Sequence, residues 1–184
     1  MTRLILLNGP PGIGKSTLAD RFASDHPLTL VLDIDSIRTS MGAWETHEES
    51  KLLARLVAIE MARAHLRSGH DVVVPQLLGR LEFIETLEAL AAETGASFRE
   101  ILLLASNADA FARLQARRAE LDRLDIPHPV RTVTLDAGLF DATVRALHSI
   151  ASARPATNII QTKTGDIDGA YRALSEALAE PGGC

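Results

Sequence analysis

Gly9-Pro10-Pro11-Gly12-Ile13-Gly14-Lys15-Ser16 is the stretch that decides how this chain folds. It satisfies G-x-x-x-x-G-K-[ST] at every fixed position, and its surroundings are those the pattern needs. A short apolar run, residues 4–7, precedes it, and a helical pattern over residues 15–23 follows it. The glycines let the backbone turn tightly, so that successive N–H groups point inward at a β-phosphate. The start of the helix adds unsatisfied N–H groups and the positive end of its dipole. Lys15 is placed to reach β- and γ-phosphates as a point charge, the Ser16 hydroxyl to ligate Mg²⁺, and Thr17 to meet a phosphate. The stretch predicts a cradle for a nucleoside triphosphate, ATP with Mg²⁺, built from Gly9, Pro10, Pro11, Gly12, Ile13, Gly14, Lys15, Ser16 and Thr17. The bland alternative is a glycine-rich turn with a solvated lysine; the flanking strand and helix argue against it.

Working outward, four more apolar runs follow, at 28–34, 71–74, 98–104 and, more weakly, 158–161. Between them lie helical patterns. Residues 48–67 carry Leu52, Leu56, Ile59 and Leu66 on one stripe, with Gly69 at the C-terminal cap. Residues 80–93 align Leu81, Ile84, Leu87 and Leu90 and stop at Thr94-Gly95. Asn107 caps a helix running through Phe111 and Leu114 towards Leu121, Phe140 to Ala151 mark another, and 167–178 a last one. Apolar runs that are continuous rather than alternating suit strands buried on both faces of a parallel sheet. The pattern predicts an α/β doubly wound sheet with helices on both faces, one domain over residues 1–184. Residues 122–131, polar and interrupted by Pro127 and Pro129 around His128, read as a loop or flap.

Composition narrows the partners. A formal net charge of -5 and a pI near 5.7 leave no basic face for nucleic acid, although a local basic patch exists near Arg117. Residues 4–7 are too short for a signal segment, and no run approaches the ~18 apolar residues of a spanning helix. Cys184, the only cysteine, excludes an internal disulfide and reads as a terminal thiol in a reducing compartment. The expectation is a soluble cytoplasmic protein with a small-molecule partner, no nucleic acid and no membrane, its oligomeric state open. The six histidines show no metal-ligand spacing and read as surface or partly buried singles.

After the second run comes Asp33-Ile34-Asp35-Ser36-Ile37-Arg38. Ligands of parallel sheets sit outside the carboxyl ends of the strands, so these acids face the same edge as the glycine loop. Residues two apart on an extended segment point the same way, which aims both carboxylates into the cleft. One then holds Mg²⁺ through water, Asp33 in this reading, and Asp35 accepts a proton from an attacking hydroxyl. Alternatively Asp35 caps a short helix beginning at Ser36 and Asp33 is a solvated strand end.

In residues 9–16 and around Asp35 the chain resembles the small P-loop kinases grouped around chloramphenicol phosphotransferase and the zeta toxins, with wider kinship to the nucleoside monophosphate kinase fold. The resemblance implies a five-stranded sheet of order 2-3-1-4-5 and an arginine-bearing lid at about residues 111–131. It also implies that Asp35 deprotonates the acceptor hydroxyl. Asp35-x-x-Arg38 further resembles a stretch of adenylate kinases whose arginine meets the acceptor nucleotide. One departure stands out: many relatives carry an acid after the third strand, where this chain reads Val74-Pro75-Gln76, so Gln76 either bonds an acceptor group or is a plain loop residue.

Arginines in such a lid close over the triphosphate, because a planar fork donates two bonds to phosphate oxygens. Arg113 and Arg117, four apart, share a helix face, with Arg118 beside them. Asp109 with Arg113 and Arg118 with Asp122 also have the spacing of ordinary ion pairs, which leaves Arg117 the better phosphate ligand. Trp44 either stacks on an acceptor or anchors its loop. The leading functional expectation is transfer of the γ-phosphoryl group of ATP to a hydroxyl. The alternatives are a nucleotide kinase, with Arg38 clamping an acceptor phosphate, and a nucleotide-dependent switch. No guanine-reading Asn-Lys-x-Asp stretch is present.

Overall fold

In the computed structural model, which describes residues 1–179, five strands form one parallel sheet of order β2-β3-β1-β4-β5. The strands are β1 (Arg3–Asn8), β2 (Leu30–Val31), β3 (Val72–Pro75), β4 (Ser97–Leu104) and β5 (Asn158–Gln161). The helices are α1 (Lys15–Asp25), α2 (Ile34–Thr39), α3 (Glu49–Arg67), α4 (Leu81–Thr94), α5 (Asn107–Arg123), α6 (Ala137–Ala153) and α7 (Ile167–Ala179), with a 3-10 turn at Pro129–Thr132 before α6. Cys184 lies outside the described residues.

β1 shows why the sheet is parallel and doubly covered. Leu4 and Leu6 point to the face packed by α3 and α4, Ile5 and Leu7 to the face packed by α1 and α7, and all four are buried. Burying both faces of a strand removes its polar alternatives, so its run is continuously apolar. Leu4 pairs with Val72 of β3 on one side and Phe98 of β4 on the other. Connections on the two sides of β1 part company at its carboxyl end, and there the glycine loop begins.

Three local expectations differ from the structure. The second run pairs as a strand only at Leu30–Val31, with Leu32 N–H still bonding the Val73 carbonyl, because Asp33 turns the chain into α2. Helix α5 is capped by Ser106, whose hydroxyl accepts the Asp109 N–H, and not by Asn107. Most instructive is α3: its buried stripe is Ser50, Ala54, Ala58, Ala62 and Leu66, whereas Leu52 and Leu56 are 63% and 55% exposed. Small side chains let a helix approach its neighbours closely, and here the alanines and Leu66, not Leu52 and Leu56, face the core.

Candidate active site

The floor of the site is made by backbone. Gly9, Gly12 and Gly14 have φ of 149°, 79° and 104°, the region that L side chains avoid. At Gly12 a Cβ would also sit 2.8 Å from the Leu114 backbone nitrogen, so α5 rests directly on the loop. Gly14 is the N-cap of α1 and supplies no side-chain acceptor, which leaves the first-turn N–H groups open to a ligand. Asn8 staples the loop to the segment after β3: its side chain accepts from the N–H groups of Gly9 and Leu78 at 2.8 and 2.9 Å and donates to the Leu78 carbonyl.

Lys15 lies back across its own loop, its Nζ donating to the Gly9 and Pro10 carbonyls at 2.8 and 2.9 Å. Burial, then the nearby positive charge of Arg117, lowers its pKa to about 7, against the opposing pull of Asp35 and Asp33. Among the described residues no carboxylate pairs directly with this buried amine, and an anion in the loop would supply a partner.

Beside Lys15 opens a cavity of about 240 Å³ lined by Ser16, Asp33, Asp35, Gln76, Arg117 and His128, among others. Both acids thus reach it, though not as neighbours on an extended strand. Asp33 is the N-cap of α2: its Oδ1 accepts from the Asp35 N–H at 2.9 Å and its Oδ2 from the Ser36 hydroxyl at 2.9 Å. The capping role expected as an alternative for Asp35 therefore belongs to Asp33, and Asp35 is left free in the first turn. Burial first, then the adjoining Asp33, raises the Asp35 pKa, while His128, a bond from Gln76 and Lys15 count the other way.

The roof comes from α5 and the segment after it. Arg117 lines the cavity. Arg118 does not: it donates to the Val133 carbonyl at 2.7 Å and pairs with Asp122, which corrects its expected phosphate role to one of fastening the lid. Arg131 pairs with Asp122 and Asp125 on the outside. His128, expected to be a surface or partly buried single, stands in the cavity wall. The only sequence sign of it was its position between Pro127 and Pro129 in the one helix-breaking stretch of the lid.

Arg113 goes elsewhere. It lines a second cavity of about 200 Å³ on the other side of the loop, with Thr162, Lys163, Gly165 and Asp166, and Gly12, Gly14 and Thr17 border both cavities. Its Nε and Nη2 are buried and, among the described residues, have no hydrogen-bond partner; the expected pair with Asp109 does not form. The loop after β5, pinned by Thr162 through two bonds to the Leu104 carbonyl, had no legible motif. The two cavities lie on opposite sides of the glycine loop.

Arg38 and Trp44, expected to contact an acceptor, line neither cavity. Arg38 stacks over the buried Trp44 ring at 4.8 Å and donates to Ser50 Oγ, which donates to the Trp44 carbonyl. The three residues tie the α2–α3 connection together. Among the described residues no helix is long and apolar enough to cross a membrane, and no cluster of three His, Cys, Asp or Glu could hold a metal alone.

Comparison with known proteins agrees with this fold. No match was found among curated proteins. Among solved structures, the tunicamycin resistance protein of Deinococcus radiodurans superposes with a TM-score of 0.60 at 15% identity, over 97% of this chain and 95% of that one. A gluconokinase from Sinorhizobium meliloti gives 0.61 at 14%, over 95% and 90%. The Mycobacterium tuberculosis APS kinase in complex with AMPPNP and APS gives 0.61 at 16%, over 97% and 98%. At such identities the likeness is one of fold. The family model described as AAA domain matches residues 4–148, which span the loop, both acids and the whole lid. With its glycine cradle after the central strand of a 2-3-1-4-5 sheet, the chain belongs to the AAA domain family of P-loop proteins.

Proposed function

We propose that the protein is an ATP-dependent phosphotransferase that moves the γ-phosphoryl group to a hydroxyl of a small molecule. The observation that carries this reading is Asp35: a carboxylate with no capping duty, in the same cavity as Lys15 and Ser16, its pKa raised by burial and by Asp33. A carboxylate whose pKa is raised binds a proton more strongly, which suits it to accept a hydroxyl proton as the bond to phosphorus forms.

The other groups divide the remaining work. The loop N–H groups and the start of α1 hold the phosphates, Lys15 neutralises charge at the transferring end, and Arg117 does so from the roof. Arg113, two of whose nitrogens have no partner among the described residues, lies beside the second cavity and faces the base side. The donor set fits Mg²⁺, which takes few protein ligands and keeps waters: the Ser16 hydroxyl directly, and Asp33 through water by the carboxylate lone pairs its capping bonds leave over. Bound there, Mg²⁺ would supply charge to the phosphate oxygens. Gln76 is the polar group on the acceptor wall. The occupation of Arg38 by Ser50 and Trp44 counts against the nucleotide-kinase alternative, which needs that arginine as an acceptor clamp.

The decisive variant is Asp35→Asn. Asparagine keeps the shape and cannot take the proton, so nucleotide affinity and melting temperature should hold while transfer falls by ~10²–10⁴. Candidate acceptors would be screened by ADP release, and the variant compared on whichever stimulates turnover. An Asp33→Asn control should instead raise the Mg²⁺ concentration required, because asparagine still caps α2. Equal, mild losses at the two positions would refute the hydroxyl-transfer mechanism.

A further inference from the structure

The lid holds a polar contact that the protein alone does not satisfy. The Val130 N–H donates to His128 Nδ1 at 3.1 Å, so that nitrogen carries a lone pair and no proton. A neutral imidazole must then hold its proton on Nε2. Nε2 faces Arg117 Nη2 at 3.3 Å, and a guanidinium only donates. Donor therefore meets donor at the cavity wall. Among the described residues no carboxylate pairs with Arg117, the ion pairs of the lid being made by Arg118 and Arg131.

We propose that His128 is a ligand of the transferring phosphoryl group: its Nε2–H and the Arg117 guanidinium converge on one anionic oxygen above Asp35. This deepens the phosphotransferase reading and rests on it. An oxygen about 2.9 Å from each nitrogen closes a triangle over their 3.3 Å separation and turns two opposed donors into two good hydrogen bonds. The placement is built in. His128 precedes Pro129 and is held extended, at φ -157° and ψ 138°, as residues before proline prefer. The Arg118 bonds to the Val130 and Val133 carbonyls fix the turn that carries Val130, and with it the ring. Burial and the charge of Arg117 lower the His128 pKa, with Asp35 and Asp33 opposing, which favours the neutral ring. The floor beneath carries Lys15 and Asp35, so the oxygen sits where a phosphoryl group passes to a hydroxyl.

Two substitutions separate this role from the cap. His128→Asn keeps an acceptor for the Val130 N–H but loses the Nε2 donor. His128→Gln places an amide N–H near the Nε2 position. Binding of ADP and of AMP-PNP, each with Mg²⁺, is measured by calorimetry on the full chain. A hydrogen bond to a charged group predicts that His128→Asn loses AMP-PNP affinity by about tenfold or more, with ADP affinity within about twofold of wild type. His128→Gln should stay within about threefold for both. In wild type with ¹⁵N-labelled histidine, the free chain should show the Nε2-protonated tautomer of His128, and that N–H resonance should move with AMP-PNP and stay with ADP. An unchanged AMP-PNP to ADP ratio in His128→Asn, or an Nδ1-protonated ring, would overturn this proposal and leave the kinase reading standing. A wild-type chain that binds neither nucleotide would overturn both.

Discussion

The floor and the roof of the main cavity are built by different physics. The floor is backbone: three glycines at positive φ, a helix start without a side-chain cap, and α5 pressed against Gly12. The roof is side chain: Arg118 on two lid carbonyls, Arg131 on Asp122 and Asp125, and His128 on the Val130 N–H, with Val130 and Leu121 buried beneath. Backbone at special φ leaves no intermediate geometry. Exposed ion pairs contribute about 0–1 kcal/mol each and exchange easily. The cavity thus keeps its rigid part in a few contiguous residues and its adjustable part in a longer stretch held by replaceable contacts.

The largest effect expected from breaking the floor is that of Lys15→Ala. Transfer should fall by at least the ~10²–10³ of a lost electrostatic donor. Because Lys15 is a buried amine that makes no ion pair among the described residues, the melting temperature should not fall with it. A variant with unchanged nucleotide affinity and turnover would remove the cradle from the reaction. Arg117→Ala breaks the roof at its charged point. It should lower kcat more than it raises KM for ATP, since charge grows on the phosphoryl oxygens mainly in the transition state. An arginine supplied to such a site is worth up to ~10³–10⁵ in rate. A loss below tenfold would show that the roof positions the substrate without stabilising the reacting group.

Protonation distinguishes floor from roof more finely. With its folded pKa lowered to about 7 from 10.5, Lys15 is largely neutral in the free protein above that value, while the unfolded chain still holds the proton. Its contribution to stability therefore rises with pH between about 7 and 10.5. A bound triphosphate restores the charge, so binding at pH 8.5 should take up close to one proton, and little at pH 6. Calorimetry in two buffers of different ionisation enthalpy reads this directly, and Lys15→Met should abolish the uptake. Proton uptake that survives in Lys15→Met would assign it to another group. The smallest effect belongs to Arg118→Ala, which unfastens the lid without touching the cavity. KM for the nucleotide should rise by a few-fold with kcat nearly constant. Moderate salt should narrow the difference, because exposed pairs are screened over about 10 Å. A large fall in kcat would return Arg118 to the phosphate.

The same division explains how much of the site was legible beforehand. The turn at residues 9–14 and the helix start at Lys15 were legible, because contiguous backbone writes its conformation into one stretch. Asp35 could be placed after the second strand, but the reason offered, two residues pointing alike on an extended segment, was not the one that operates. Asp33 starts a helix and takes the cap, which frees Asp35. Arg117 and Arg118 are adjacent, and only the course of the lid sends one into the cavity and the other to the Val133 carbonyl. His128 and the loop holding Thr162 and Asp166 could not be found, since each joins the site through a fold contact over many residues of chain.

Helix α3 marks the boundary most clearly. Periodicity predicted an amphipathic helix over residues 48–67, found as Glu49–Arg67, as it predicted the alternation of strands and helices and hence the doubly wound sheet. Those signals are local: they depend on hydrogen bonding within a helix and on runs of apolar residues long enough for a strand. Which side of α3 turns inward is not a local property. Alanines recur at 54, 58 and 62 with the same four-residue spacing as the leucines at 52 and 56, so two stripes compete. Packing decided for the alanines, which fit a helix lying close against its neighbours. Choices between stripes, between caps and between neighbouring arginines all turn on shape and distance across the fold, and these exist only once the chain has closed on itself.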